Sequence, residues 1–284
     1  MNQQNNYVQM WEQFGSQKAG ILSNAKFQPT YRIGLTNYLR ERYIFDYLPI
    51  TKEDVVADIG CAAGRQAFIA AKKAKYVIGT DIADSFMEFA RKQKEVQQIQ
   101  NVDFVTTPLE RLPFKDQEFN KIICSEVIEH VLDLNTSLNE LNRVLDSHGM
   151  ILITVPNLNA DGTLWGRLLR SLGIRTFTPL TDFSPESLKN NGDSHVREFS
   201  VRSLTTKLKQ AGFKPVRWTT VSMIDFNDRV IGLCLKIPPL KWLMIQIEHI
   251  LSHLKLPYGR HIVILCIKCM DEISDTVDGH PSAV

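Results

Sequence analysis

The stretch "VVADIGCAAG", residues 55–64, decides how the rest of the chain is read. An apolar run reaches Asp58, passes Gly60 and Gly64, and enters "GRQAFIAAKKA", whose pattern predicts a helix over 64–74. A strand that breaks on glycine and runs into a helix is a nucleotide-type site. Glycine adopts backbone angles closed to other residues and lets the chain approach a ligand closely. A dinucleotide fingerprint would need glycines at 60, 62 and 65, where the chain has Gly60, Ala62 and Arg65. Two of those three positions fail, which counts against a pyrophosphate cradle and a nicotinamide oxidoreductase. A final antiparallel strand lying between its neighbours would exclude that class.

Working outward, apolar strand-like runs alternate with helical ones. Strands are predicted over 55–60, 76–81, 102–107, 121–126 and 150–156, with helices over 84–96 and 133–145. Strands this apolar, separated by helices, indicate a mostly parallel sheet covered on both faces. After Pro156 the rhythm fails, then returns with a helix over 200–212, capped by Ser200 and stopped by Gly212. Two last strands, 213–224 and 260–270, bracket a proline-rich helical stretch. The expected architecture is α/β, a Rossmann-like seven-stranded sheet with an antiparallel last strand. The expected organisation is an N-terminal helical segment over 1–50, a domain over 51–270 with insertions at about 157–199 and 225–258, and a flexible tail over 271–284.

With 44% hydrophobic and 23% charged residues, the composition is that of an ordinary globular protein. Its 33 basic against 31 acidic side chains leave a net charge of +2. That balance argues against DNA binding and makes an RNA substrate the least favoured, since affinity for nucleic acid rests on neutralising phosphates. No secretory signal is visible at the N-terminus, and the five cysteines form no disulfide framework. The expectation is a reduced, cytoplasmic protein. The most apolar region, 231–255, is broken by Pro238-Pro239 and carries Lys, Glu and His, so no segment is expected to span a bilayer. After the prolines, leucine and isoleucine recur at helical spacing. The face they form either packs on the domain or, through 239–255, touches a membrane or covers a greasy substrate.

The run Asp58-Ile59-Gly60-Cys61-Ala62-Ala63-Gly64 resembles the first motif of class I S-adenosylmethionine-dependent methyltransferases. "FVTTPLERLPFKDQEFNKIICSEVIEHV" is similar to a block of the group that includes ubiquinone-type O-methyltransferases. The resemblance implies S-adenosyl-L-methionine as cofactor. It nominates Asp81, ending the second strand, to accept the ribose hydroxyls, and Arg40 in "TNYLRERYI" to meet the methionine carboxylate. Where that group often has an adenine-contacting Asp, this chain has Pro108, followed by Leu109 and Glu110. Cys61, Ile82, Ser125 and Glu126 complete the expected cofactor shell.

In "CSEVIEHV", residues 124–131, Glu126, Glu129 and His130 are spaced i, i+3, i+4, so one turn of helix would point them the same way. Three readings stay open. Glu126 meets the cofactor while Glu129 and His130 pack; His130 is a general base; or the group binds a divalent ion. The resemblance implies Mg²⁺ or another divalent cation held by Glu126, Glu129, His130 and the downstream His195. The catalytic candidates are His130, Glu129 and His195. The expected activity is methyl transfer to a hydroxyl of a small molecule such as a phenol, a sugar or a lipid-linked precursor. Metal-free N- or C-methylation and a non-catalytic cofactor-binding partner are the alternatives, and oligomeric state is not readable.

Overall fold

The computed structural model describes residues 2–24, 32–161, 196–223 and 234–269. The expected tail, residues 162–195 of the expected 157–199 insertion, the start of the 225–258 insertion and the candidate His195 lie outside the described residues.

Apolar runs form β1 (Val55–Ile59), β2 (Tyr76–Asp81), β3 (Val102–Thr106), β4 (Phe119–Ser125) and β5 (Leu145–Pro156). β6 (Phe213–Val221) and β7 (His261–Lys268) follow. They join one seven-stranded sheet in the order β3-β2-β1-β4-β5-β7-β6. The first five strands pair in parallel. β7 runs antiparallel between β5 and β6, the arrangement expected to exclude a nicotinamide oxidoreductase.

Alternation along the strands sends side chains to two cores. Val56, Ile123, Leu152 and Val263 pack on one face, under α1 (Asn2–Asn24), α2 (Arg32–Tyr47), α3 (Arg65–Ala71) and α4 (Asp84–Gln97). Ala57, Ile122, Ile151 and Ile264 pack on the other, under α5 (Leu134–Val144) and α6 (Val201–Gln210). α6 opens on the expected Ser200 cap, whose hydroxyl accepts from Ser203 N–H while Ser203 reaches back, forming a capping box. Among the described residues, α7 (Pro238–His253) lies between β6 and β7 in the chain.

The chain leaves β1 in one direction to β2 and β3, then returns to β4 and β5 on its other side. In an open α/β sheet, the crevice outside the strand ends at such a reversal is where ligands bind. The loops after β1 and β4, residues 60–64 and 126–133, therefore lie side by side at that crevice. His261, opening the antiparallel β7, pairs with Pro156 at the end of β5 and so joins the same edge.

Candidate active site

Gly60 has φ +68°, and a Cβ there would stand 2.3 Å from Val127 Cγ2. Gly64, at φ +80°, caps α3. Between them Cys61 N–H donates to Thr80 O at 2.8 Å, and Ala62 N–H donates to Asp81 Oδ2 at 3.0 Å. The loop is thus tied to the end of β2. Asp81 Oδ1 accepts from Ala83 N–H at 3.0 Å, so both carboxylate oxygens hold backbone donors and keep lone-pair capacity. Crowding by protein atoms pushes the Asp81 carboxyl up to about 6, against the pull of those N–H groups.

Asp58 lies beneath the loop, buried, and its Oδ2 meets no donor among the described residues. Burial raises its carboxyl to about 8, with the Ala67 N–H drawing it down and Asp81 adding repulsion. A buried acid in this state is relieved by a proton or by a cationic group. Cys61 contributes backbone only; its side chain is buried, and burial raises the thiol well above its usual value. Leu109 is buried, and Glu110 Oε1 accepts from Leu132 N–H at 3.3 Å.

The expectation of a helical turn over 126–130 is corrected. α5 begins only at Leu134, capped by Asp133, and residues 128–130 form a turn. Glu126 takes a left-handed backbone, φ +59°, with its N–H on Thr154 O at 2.9 Å. Its side chain is thereby separated from the other two. Glu126 Oε1 accepts from Thr154 Oγ1 at 2.8 Å, and Ser125 Oγ shares that hydroxyl at 2.9 Å. Glu126 Oε2 lies 3.2 Å from Arg40 Nη1 and 2.9 Å from His261 Nδ1, the latter contact being close but not aligned for a hydrogen bond. Burial alone would raise the Glu126 carboxyl, yet His261 and Arg40 hold it far below the usual carboxylate range. Arg40 keeps a buried Nε with no acceptor among the described residues. Its neighbour Glu41 faces α3 instead, accepting from Arg65 Nε at 2.6 Å and Nη2 at 2.9 Å.

Glu129 is fully buried, with Oε1 3.7 Å from His130 Nε2. The Glu129 carbonyl accepts from Val196 N–H at 2.9 Å. Of the quartet nominated for a divalent ion, His195 lies outside the described residues. Glu126 is committed to a guanidinium and an imidazole, and the described residues contain no group of three His, Cys, Asp or Glu able to hold a metal.

Sequence reasoning missed two contributors. α1 lies over the crevice: the Trp11 ring meets His130 edge-on at 5.0 Å, and Glu12 Oε1 accepts from Ser85 N–H at 3.1 Å. Burial raises the hydroxyl of Tyr7, and the charges of Glu110 and Asp81 add to it. The N-terminal helical segment expected over 1–50 carried no signal of this. His261 carried none, being one polar residue at the start of an apolar strand.

The geometry combines a glycine loop tied to an acid at the next strand end with a carboxylate held by Arg40 and His261 and an imidazole beside a buried carboxylate. The pattern of a family described as "Methyltransferase domain" matches residues 50–191, and the chain belongs to this family; it is an S-adenosylmethionine-dependent methyltransferase. The chain is similar to the ubiquinone biosynthesis O-methyltransferase of Bartonella quintana, 29% identical over 180 residues, 58% of this chain and 72% of that protein. The protein of the same name from Coxiella burnetii (strain RSA 493 / Nine Mile phase I) is 28% identical over 131 residues, 46% of this chain and 55% of that one. In fold, the chain resembles a SAM-dependent methyltransferase from Aquifex aeolicus, with TM-score 0.55, 12% identity, and 88% of this chain and 97% of that one covered. It also resembles the geranyl diphosphate C-methyltransferase of Streptomyces coelicolor A3(2), with TM-score 0.53, 15% identity, and 81% and 80% covered.

Proposed function

We propose that this enzyme methylates a hydroxyl oxygen of a small organic acceptor, with His130 receiving the hydroxyl proton. The observation that carries the reading is the His130–Glu129 pair, an imidazole 3.7 Å from a fully buried carboxylate at the lip of the crevice. The similarity to proteins named as ubiquinone biosynthesis O-methyltransferases supports oxygen as the acceptor atom.

The residues around the loop fit the cofactor. Asp81 has lone pairs left for the two ribose hydroxyls, and Gly60 to Gly64 leave room for close approach of the backbone. Arg40 has an unspent buried Nε for the methionine carboxylate, and Asp58 offers a buried carboxyl that a cationic group would relieve. Ile82, Leu109, Glu110 and Ser125 line the remaining shell. Bound S-adenosylmethionine supplies an electrophilic methyl carbon on sulfur, so the protein's task is alignment and proton removal. As the acceptor oxygen loses its proton to His130, positive charge develops on the ring. Glu129 stabilises that charge, as a buried carboxylate behind an imidazole does. Glu126 orients Arg40 and His261 rather than handling protons, since its carboxyl stays ionised. A cytoplasmic setting fits the free cysteines.

The test uses calorimetric titration with the cofactor and with NAD, then methyl transfer to a panel of phenols, amines and activated carbon acids. His130→Ala is expected to lower kcat on the phenol by roughly 10²–10⁴-fold, the usual contribution of a positioned base, with cofactor affinity unchanged. Transfer only to nitrogen or carbon, or a fully active His130→Ala, would overturn the reading. Loss of turnover in EDTA, restored by Mg²⁺ and sensitive to His195→Ala, would instead assign Glu129, His130 and His195 to a divalent ion.

A further inference from the structure

α7 is turned inside out. Its inward residues are Met244, Glu248 and Ser252. Met223 N–H donates to Glu248 Oε2 at 3.1 Å, and Thr219 Oγ1 donates to the Ser252 carbonyl at 2.5 Å. The Tyr43 hydroxyl bonds Ser252 Oγ and lies 3.0 Å from His249 Nδ1. Polar contacts to α2 and β6 therefore fix the rotation of the helix. The apolar stripe Leu240, Leu243, Ile247, Ile250 and Leu254 consequently faces solvent, with Trp242 beside it at 63% exposure. Of the apolar face read from the sequence, Met244 packs on the domain while these residues do not. Most of the large apolar side chains exposed among the described residues fall between Ile237 and Tyr258.

Within residues 234–260 the charge outside the buried Glu248 has one sign. From 234 to 260 the chain carries Lys236, Lys241, Lys255 and Arg260, and its one carboxylate, Glu248, is only 2% exposed. An apolar stripe rimmed by lysines, with a tryptophan at its border, matches the interface of a bilayer bearing negative headgroups. No helix among the described residues is long and apolar enough to cross a membrane, so the fitting geometry is a helix lying in the surface plane. A second copy is a poorer occupant. Two-fold pairing through this face would set one copy's lysines against the other's.

We infer that the outward face of α7 docks on an anionic lipid surface. α7 lies in the chain between the end of β6 and His261 at the start of β7, so docking brings the sheet edge that carries the site toward the bilayer. The inference is independent of the acceptor, because its readout needs no methyl transfer.

The experiment is co-sedimentation of the full chain with vesicles of phosphatidylcholine alone and with phosphatidylglycerol added. Binding is expected only with the anionic lipid and is expected to weaken as salt rises. Lys236→Gln and Lys241→Gln should each weaken it about five-fold, the share of one basic residue near a charged surface. Trp242→Ser combined with Ile250→Ser should weaken it tenfold or more, by removing two buried apolar anchors. Cofactor titration of each variant, unchanged from the parent, establishes that the fold is kept. No preference for anionic vesicles, or parental binding by the double variant, overturns the inference. So does a concentration-dependent dimer abolished by the same double variant without vesicle binding, which would assign the face to a second copy.

Discussion

Replacing Glu126 by Gln keeps the side-chain volume and the acceptor for Thr154 but removes the charge between Arg40 and His261. Those contacts, at 3.2 and 2.9 Å, join side chains only 13–18% exposed. Removing one member of a buried ion pair costs about 3–5 kcal/mol because the partner charge is left uncompensated. The group sits at a crevice and retains some solvent, so the lower end, about 3 kcal/mol, is expected. At about 2 °C per kcal/mol for a chain of this size, Tm should fall by roughly 6 °C. Urea unfolding at neutral pH, without cofactor, measures the loss directly. Its pH dependence has a defined sign. The folded carboxyl lies far below its ordinary 4.5. Its stabilisation is therefore complete above that value and fades as pH falls toward the folded value. The gap between parent and variant should narrow as the medium is acidified below 4.5. A loss under about 0.5 kcal/mol at neutral pH, the range of an ordinary surface substitution, would refute the hold of Arg40 and His261 on Glu126.

Gly60→Ala forces a Cβ to 2.3 Å from Val127 at a positive φ, so cofactor affinity measured by calorimetry should fall by at least about tenfold, with roughly 1–3 kcal/mol of stability lost. Asp58→Asn tests the buried acid. Its carboxyl is raised from 3.8 to about 8, so its contribution is full below 3.8 and is lost as pH rises through 8. The variant should therefore gain on the parent across that window in urea unfolding while binding the cationic cofactor more weakly in titration calorimetry. Trp11→Ala should speed cofactor release in stopped-flow measurements, since α1 lies over the crevice through the Trp11–His130 contact.

The strand ends, the glycine loop and Asp81 were legible in the chain because each is a local pattern. An apolar run, a glycine where the backbone must turn, and an acid at the next strand end require no knowledge of distant segments. The single predicted antiparallel strand also appeared, as β7 between β5 and β6, although a helix precedes it. The loop after β4 was misread for the same reason that the others were read well. The i, i+3, i+4 spacing of Glu126, Glu129 and His130 assumes a helix. Thr154 from β5, Arg40 from α2 and His261 from β7 hold Glu126 in a left-handed turn instead. Those partners are remote in sequence, and only the closed sheet brings them together.

The rotation of α7 is the same lesson at larger scale. Sequence alone established an amphipathic helix with one apolar stripe, because helical spacing is a property of the segment itself. Which face turned inward was decided by Tyr43, Thr219 and the Met223 N–H, whose hydrogen bonds claimed Glu248 and Ser252. Periodicity records that a helix has two faces. Tertiary packing, by satisfying buried polar groups, chooses which of them meets the solvent.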